Sequence, residues 1–83
     1  MKLANEDYQR QQLQELLKRI RKKGEVRQIE LAEKLGVPQS FISKYETGER
    51  KLDILELRQI CLALNISLED FIIELEESLH ETK

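Results

Sequence analysis

A stretch near the middle of the chain, residues 28–48, constrains the fold more than any other part of the sequence. Leu31 and Leu35 recur at the spacing of one helical face, which predicts a short helix over residues 28–35. Gly36 follows where a left-handed residue would end that helix, because glycine adopts a positive φ without a Cβ clash. The pattern therefore predicts a helix that ends in a tight turn.

A second short helix is predicted from Gln39 to about Thr47, after Pro38 has set φ for its start. Gly48 is a candidate for its end. One side of this helix is expected to be buried through Ile42 and Tyr45. The other side offers hydrogen-bonding groups and no carboxylate: Gln39, Ser40, Ser43 and Lys44.

These two helices resemble the helix-turn-helix of the phage repressor and Cro-type DNA-binding proteins, also called xenobiotic-response-element regulators. The residues that carry the resemblance are Gln28, Leu31-Ala32, Leu35-Gly36-Val37, Gln39-Ser40, Ile42-Ser43-Lys44, Glu46 and Gly48. The likeness extends over roughly residues 13 to 72. It implies a compact all-α, five-helix repressor-like domain with the motif at its second and third helices. An ordinary helical hairpin without a ligand is the alternative that the residues alone leave open.

The resemblance implies that the helix over residues 39–47 lies in the major groove and reads bases. The base-contacting candidates are Gln39, Ser40, Ser43 and Lys44, since glutamine suits adenine and lysine suits guanine. In the family a glutamine at the position of Gln28 reaches a backbone phosphate. The other backbone-contacting candidates are Arg27, Phe41, Thr47, Arg50 and Lys51. Phe41 has two further possible places, against a thymine methyl or back on Ile29.

The family also pairs an arginine in the first helix with the glutamate that ends the recognition helix. The matching positions in this chain are Arg21 and Glu46. We therefore expect an ion pair between these two residues. The alternative is a surface arginine that serves only DNA.

The remaining elements follow from helical spacing and capping patterns. A first helix is predicted from near Asn5 or Asp7 to Lys23, with Gly24 as its left-handed end. A fourth helix is predicted to start at the D-x-x-E capping box of Asp53 and Glu56. A fifth helix is predicted to start at Ser67, with Asp70 three residues later. A loose tail is predicted from His80. Asn65 is expected to end the fourth helix. The inward-facing residues are predicted to be Leu13, Leu16, Leu17, Ile20, Val26, Ile54, Leu57, Ile60, Cys61, Leu64, Leu68, Phe71, Ile72, Leu75 and Leu79.

The charge of the chain is strongly polarised although its net value is only −2. Residues 18–51 carry ten Lys or Arg against five Glu, which gives +5. Residues 52–83 carry two Lys or Arg against eight acidic residues, which gives −6. The basic excess thus coincides with the predicted motif, as expected of a protein that turns one face to phosphate.

Three aliphatic residues lie off the predicted inward faces of the last two helices: Leu55, Leu62 and Ile73. Because a module of this size covers about one half-site, a homodimer on a palindromic operator is expected, with these residues at its interface. The alternative is that an N-terminal arm folds over the same patch through Leu3.

Length and composition predict one domain over residues 1–83, with its core at about 7–79 and flexible termini. The lone Cys61, expected to be buried, and His80 in the tail lack partners at metal-binding spacing, so no metal site is predicted. No paired nucleophile and base and no phosphate-binding glycine loop indicate an enzyme or a cofactor. No signal peptide or membrane-spanning run is evident, which favours a cytoplasmic protein.

Two functions remain from the sequence. The first is a sequence-specific DNA-binding transcriptional regulator, most simply a repressor, whose partner is double-stranded DNA. The second is an antitoxin-like or other protein-interaction module on the same fold, favoured by the acidic last third of the chain.

Overall fold

The computed structural model of the protein describes residues 6–81, which form five helices and no strand. Helix α1 packs against α3 and α5, α2 packs against α3 and α4, and α4 packs against α5. The helices are α1 Glu6–Lys23, α2 Gln28–Leu35, α3 Gln39–Thr47, α4 Ile54–Ala63 and α5 Leu68–Glu81. The all-α, five-helix fold predicted from the sequence is confirmed.

All five helices contribute to one hydrophobic core. Tyr45 of α3 and Phe71 of α5 are the largest fully buried side chains. The buried apolar residues are Leu16, Leu17, Leu31, Ala32, Ile42, Tyr45, Leu57, Ile60, Cys61 and Phe71. Each was expected to be buried from its place on an apolar helical face, and their burial is the main driving force that holds the short helices together.

Three helices end in the same hydrogen-bonded motif, in which a left-handed residue is followed by an apolar one. In α2 the amide of Gly36 bonds to the Glu33 carbonyl at 3.2 Å, and the amide of Val37 bonds to the Ala32 carbonyl at 3.0 Å. Gly36 has φ 69°. The helix end predicted at this glycine is confirmed.

The end of α1 corrects the sequence prediction by one residue. The left-handed residue is Glu25, with φ 57°, and Gly24 is not in that region. The amide of Val26 bonds to the Arg21 carbonyl at 3.1 Å, and the Arg21 guanidinium bonds to the Val26 carbonyl at 2.8 Å. Because Val26 is packed against the core and held to Arg21 in both directions, the residue before it must take the positive φ.

The starts of α4 and α5 follow their predicted capping residues. The Glu56 amide donates to Asp53 Oδ1 at 2.8 Å, and the Asp53 amide donates to Glu56 Oε1 at 3.0 Å. The Asp70 amide donates to the Ser67 hydroxyl at 3.0 Å. Asn65 has φ 61°, as expected of the residue that ends the fourth helix.

Three predictions for α4 and α5 are wrong. Ile54 is 58% exposed because it is the first residue of α4 and extends past the core. Ile72 is 38% exposed because Phe71, its neighbour, occupies the centre of the buried face. His80 does not begin a loose tail, since α5 continues to Glu81. The predicted flexible termini and the alternative arm through Leu3 lie outside the described residues.

Candidate nucleic-acid interface

Helix α3 presents a polar face opposite the core. It begins after Pro38, which has an extended backbone (φ −65°, ψ 153°) and whose side chain makes no capping hydrogen bond. It ends at Gly48, which is left-handed. Ile42 and Tyr45 fix its inward side, since both are fully buried. Of the four predicted base-contacting residues, Ser43 is half-buried and the other three are exposed, namely Gln39, Ser40 and Lys44.

An ion pair anchors the end of α3 to α1. Arg21 Nε donates to Glu46 Oε2 at 2.7 Å, and Arg21 Nη2 donates to Glu46 Oε1 at 3.0 Å. The two side chains are only 8% and 2% exposed. The hydrogen bond to Glu46 raises the pKa of the Arg21 guanidinium above its ordinary value against the opposing effect of burial. These are the two residues that the resemblance implied would pair.

Gln28 connects this ion pair to the exposed face of α3. Its Nε2 donates to Glu46 Oε1 at 2.9 Å, and its Oε1 accepts from Gln39 Nε2 at 3.3 Å. A carboxylate only accepts hydrogen bonds, so the amide nitrogen of Gln28 must face Glu46. The amide oxygen of Gln28 then faces Gln39, which must offer its own nitrogen. The buried charge of Glu46 therefore fixes the orientation of two amides in succession.

A second cluster consists of Phe41 of α3, Glu56 of α4 and Arg50 of the loop between these two helices. The Arg50 amide donates to the Lys44 carbonyl at 3.1 Å, which folds the loop back onto the helix. The Arg50 guanidinium carbon is 4.4 Å from the centroid of the Phe41 ring, a cation–π distance. Its Nη2 is 2.5 Å from Glu56 Oε2. Phe41 thus packs beneath Arg50 and edge-on to Tyr45, with ring centroids 6.0 Å apart.

The other predicted backbone-contacting residues are exposed, at the start of α2, at the end of α3 and in the loop after it. Arg27 precedes α2, and its amide and Nε donate to Glu30 Oε1 at 2.8 and 3.3 Å. The Thr47 hydroxyl donates to the Lys44 carbonyl at 3.2 Å. Lys51 is exposed.

The contact between Arg50 and Glu56 was not predicted from the sequence. Glu56 was expected only as a capping residue, and the sequence spacing of six from Arg50 crosses a turn, where helical periodicity gives no signal. The hydrogen bond between Gln28 and Gln39 was missed for a similar reason, because it joins two different helices. Pairing across elements depends on how helices pack, which local patterns do not encode.

The predicted interface residues on α4 and α5 are exposed. Leu55 is 70% exposed, Leu62 48% and Ile73 56%. Ile54 and Ile72, which were expected to face inward, add to the exposed aliphatic residues of these two helices.

Two polar groups, the Cys61 thiol and the Tyr45 hydroxyl, are buried in the core. Burial raises the pKa of the Cys61 thiol to about 11. The buried Tyr45 hydroxyl has no hydrogen-bond partner in the part of the chain that the structure describes, and burial raises its pKa well above the ordinary range. Within residues 6–81, no group of three His, Cys, Asp or Glu side chains is arranged to hold a metal ion. No helix in that part of the chain is long and apolar enough to cross a membrane.

Comparison with known proteins identifies the family of the chain. The family described as Helix-turn-helix matches residues 17–71. The chain is 36% identical to an XRE-family like protein from Pseudomonas syringae pv. tomato str. DC3000, with a TM-score of 0.82 over 87% of this chain and 88% of that one. Among curated proteins, no sequence matches the chain.

Two regulators of known structure are also similar. A mutant of the restriction-modification controller protein C.Esp1396I has a TM-score of 0.84 and 26% identity over 92% of this chain and 96% of that one. The clp gene regulator ClgR from C. glutamicum has a TM-score of 0.75 and 31% identity over 84% of this chain and 90% of that one. The family match spans the helix-turn-helix and the core around it. The chain belongs to the XRE family of helix-turn-helix proteins and is a DNA-binding transcriptional regulator.

Proposed function

We propose that the protein is a repressor that binds a palindromic operator as a homodimer, with α3 in the major groove. The observation that carries the proposal is the polar, carboxylate-free face of α3, whose first residue Gln39 is held in place by Gln28. A rigid polar helix face is what base-edge recognition requires, because hydrogen bonds to bases depend on direction. Repression follows if the bound dimer occludes a promoter.

Gln39 is the main base-reading residue of this proposal. Its Nε2 donates one hydrogen bond to Gln28, so its oxygen and its second amide hydrogen remain available to a base. Adenine presents N6 as a donor and N7 as an acceptor in the major groove, so adenine is the complementary base. The remaining contacts to bases come from Ser40, Ser43 and Lys44.

Phosphate contacts hold the helix in the groove. Gln28 is placed beside α3 at the N-terminus of α2, where a helix dipole favours an anion. Arg50 and Lys51 follow α3 in the chain and supply further positive charge, with the Arg50 guanidinium over Phe41 of α3. The proposed contacts to the DNA backbone come from Gln28, Arg27, Phe41, Thr47, Arg50 and Lys51.

The dimer is proposed to form through the exposed aliphatic surface of α4 and α5. Five residues with large aliphatic side chains are exposed there, on a part of the chain that is acidic and unsuited to DNA: Ile54, Leu55, Leu62, Ile72 and Ile73. A second copy of the chain would cover this surface and leave both α3 helices free. Two copies would then match the two-fold symmetry of a palindrome.

Selection from a pool of random duplexes over several rounds tests the DNA-binding proposal. We expect enrichment of one palindromic site. Gln39→Ala should weaken binding to that site by about 1–3 kcal/mol and relax one base position, while binding to mixed-sequence DNA changes little. Gln59→Ala, which alters an exposed glutamine on α4, is the matched control and should leave both affinities unchanged.

Two outcomes would contradict the proposal. Equal losses for Gln39→Ala on the selected site and on mixed-sequence DNA would remove Gln39 from base readout. A failure to enrich any site at low salt would favour the alternative, in which the α4 and α5 surface binds a protein partner as an antitoxin does.

A further inference from the structure

We propose that Glu56 sets the affinity of the protein for DNA by competing with a backbone phosphate for the guanidinium of Arg50. This inference rests on the proposed function, in which Arg50 contacts the DNA backbone. Glu56, which also caps the start of α4, would thus weaken DNA binding. Glu56 acts through Arg50 and does not itself touch DNA.

Two contacts already engage the Arg50 guanidinium, one on a planar face and one on an edge. The backbone is fixed by the 3.1 Å hydrogen bond from the Arg50 amide to the Lys44 carbonyl. One planar face of the guanidinium lies over the Phe41 ring at 4.4 Å. An arginine binds phosphate through the N–H groups along its edges. One of these groups, at Nη2, already donates to Glu56 Oε2 at 2.5 Å, so a phosphate on either edge that includes Nη2 would lie beside the carboxylate.

Glu56 cannot easily withdraw from this contact. Its other oxygen, Oε1, accepts the Asp53 amide at 3.0 Å, while its own amide donates to Asp53 Oδ1 at 2.8 Å. These two bonds form the capping box of α4 and hold the carboxylate where it is. A phosphate that approaches Nη2 must therefore displace a fixed carboxylate or bind next to its negative charge.

The exposure of the pair makes the competition reversible. The Arg50 and Glu56 side chains are 42% and 31% exposed, in contrast to the buried pair of Arg21 and Glu46. Water screens such a pair, so its stability is modest and a phosphate can replace the carboxylate. The expected effect of the competition is a reduction in DNA affinity of about two- to fivefold.

The test compares Glu56→Gln, Arg50→Met and the double variant on a short fluorescent duplex of mixed sequence and on the selected site. Glutamine is the matched replacement because it also serves in a capping box, which preserves the start of α4. Glu49→Gln controls for the effect of net charge on DNA binding, since it removes a negative charge from an exposed position in the same loop as Arg50. Thermal unfolding of each variant verifies that it folds.

We expect Glu56→Gln to tighten binding by about two- to fivefold when Arg50 is present and to have no effect beside Arg50→Met. Arg50→Met alone should weaken binding to both duplexes and reduce the slope of the salt dependence by about one. Glu49→Gln should change binding equally in the two backgrounds. If Glu56→Gln does not fold, Glu56→Asp takes its place, because the shorter side chain cannot cap α4 and reach Arg50 together.

The competition is refuted by any of three results: equal tightening with and without Arg50, weaker binding of the Glu56 variant, or unchanged binding of Arg50→Met. Any of these results together with a selected site that still depends on Gln39 would leave the proposed function intact. Absence of DNA binding by the wild type would refute the proposed function and, with it, the competition.

Discussion

The buried ion pair between Arg21 of α1 and Glu46 of α3 makes the stability of the fold sensitive to the loss of either charge. If Arg21 is replaced by Met, the carboxylate of Glu46 stays 2% exposed or must be hydrated at the expense of packing. An uncompensated buried charge of this kind costs about 3–5 kcal/mol. We expect Arg21→Met to lower the free energy of unfolding by that amount, measured by urea denaturation monitored by circular dichroism.

The double variant Arg21→Met, Glu46→Gln separates the loss of the pair from the isolated charge. It should recover part of the stability, because no charge is left buried. Arg10→Met is the matched control, since Arg10 pairs with Glu6 at 2.9 Å on a more exposed part of the same helix and should cost about 1 kcal/mol or less. Equal losses for Arg21→Met and Arg10→Met would show that burial does not decide the cost.

The buried thiol of Cys61 is expected to make the free energy of unfolding depend on pH in alkaline solution. Its pKa is raised by burial from 9.0 to about 11, so the folded protein holds this proton more tightly than the unfolded chain. The stability that this proton provides is complete below pH 9 and is lost as the pH rises toward about 11. We expect the free energy of unfolding to fall by up to about 2–3 kcal/mol across this range from this group alone.

Cys61→Ala removes this contribution and provides the comparison. The variant is less stable at neutral pH because it leaves a small cavity, but its unfolding free energy should fall less steeply between pH 9 and about 11. The remaining slope includes the buried Tyr45 hydroxyl, whose pKa is raised in the same direction. Parallel curves for the two proteins would disprove the role of Cys61.

At the scale of the elements, glycine is required only at particular helix ends. A Cβ added at Gly36 would meet no atom within 4 Å, so Gly36→Ala has space and the cost comes from its φ of 69°. A left-handed alanine is strained by about 1–2 kcal/mol. We expect Gly36→Ala to lower the free energy of unfolding by about that amount in thermal or urea denaturation.

Gly24→Ala is the matched control. Its φ is outside the left-handed region, and an added Cβ would meet its nearest atom, the Ile20 carbonyl oxygen, at 3.6 Å. That change should be neutral or stabilising by up to about 1 kcal/mol, because the unfolded chain loses freedom. Similar losses at Gly24 and Gly36 would contradict the assignment of the left-handed position.

Much of the helix architecture was predictable because caps are local. Gly36, Asn65 and the box of Asp53 and Glu56 mark their helix boundaries in the sequence itself. Glycine alone predicts the end of α1 at Gly24, one residue too early, because the motif is set by the apolar residue that follows the left-handed one. Glu25 before Val26 has the same relation as Gly36 before Val37.

The candidate site was predictable in its residues and less so in its connections. The exposed face of α3 follows from helical spacing around Ile42 and Tyr45. The chain of hydrogen bonds from Glu46 through Gln28 to Gln39, and the contact of Arg50 with Glu56, join different elements. Such contacts appear only when the packing of the helices is known, because no local period relates the residues.

At the scale of the whole molecule, the charges and the exposed aliphatic residues are unevenly distributed along the chain. Residues 18–51, around the helix-turn-helix, carry a net charge of +5, and residues 52–83 carry −6. Leu55, Leu62 and Ile73 lie in the acidic part. We propose that these residues contact a second copy of the chain, because exposed aliphatic residues favour protein contacts and two copies would match the symmetry of a palindromic operator.

Sedimentation equilibrium of the wild type and of a Leu55→Glu, Leu62→Glu double variant tests this dimer. The wild type should be dimeric at micromolar concentrations, and the variant should be monomeric because two charges would be buried without partners. Ile29→Glu is the matched control, since Ile29 is 40% exposed on α2, outside the proposed interface, and should leave the dimer intact. The monomeric variant should also bind the selected palindrome with the affinity of a single half-site. A monomeric wild type, or a double variant that still dimerises, would place the interface elsewhere.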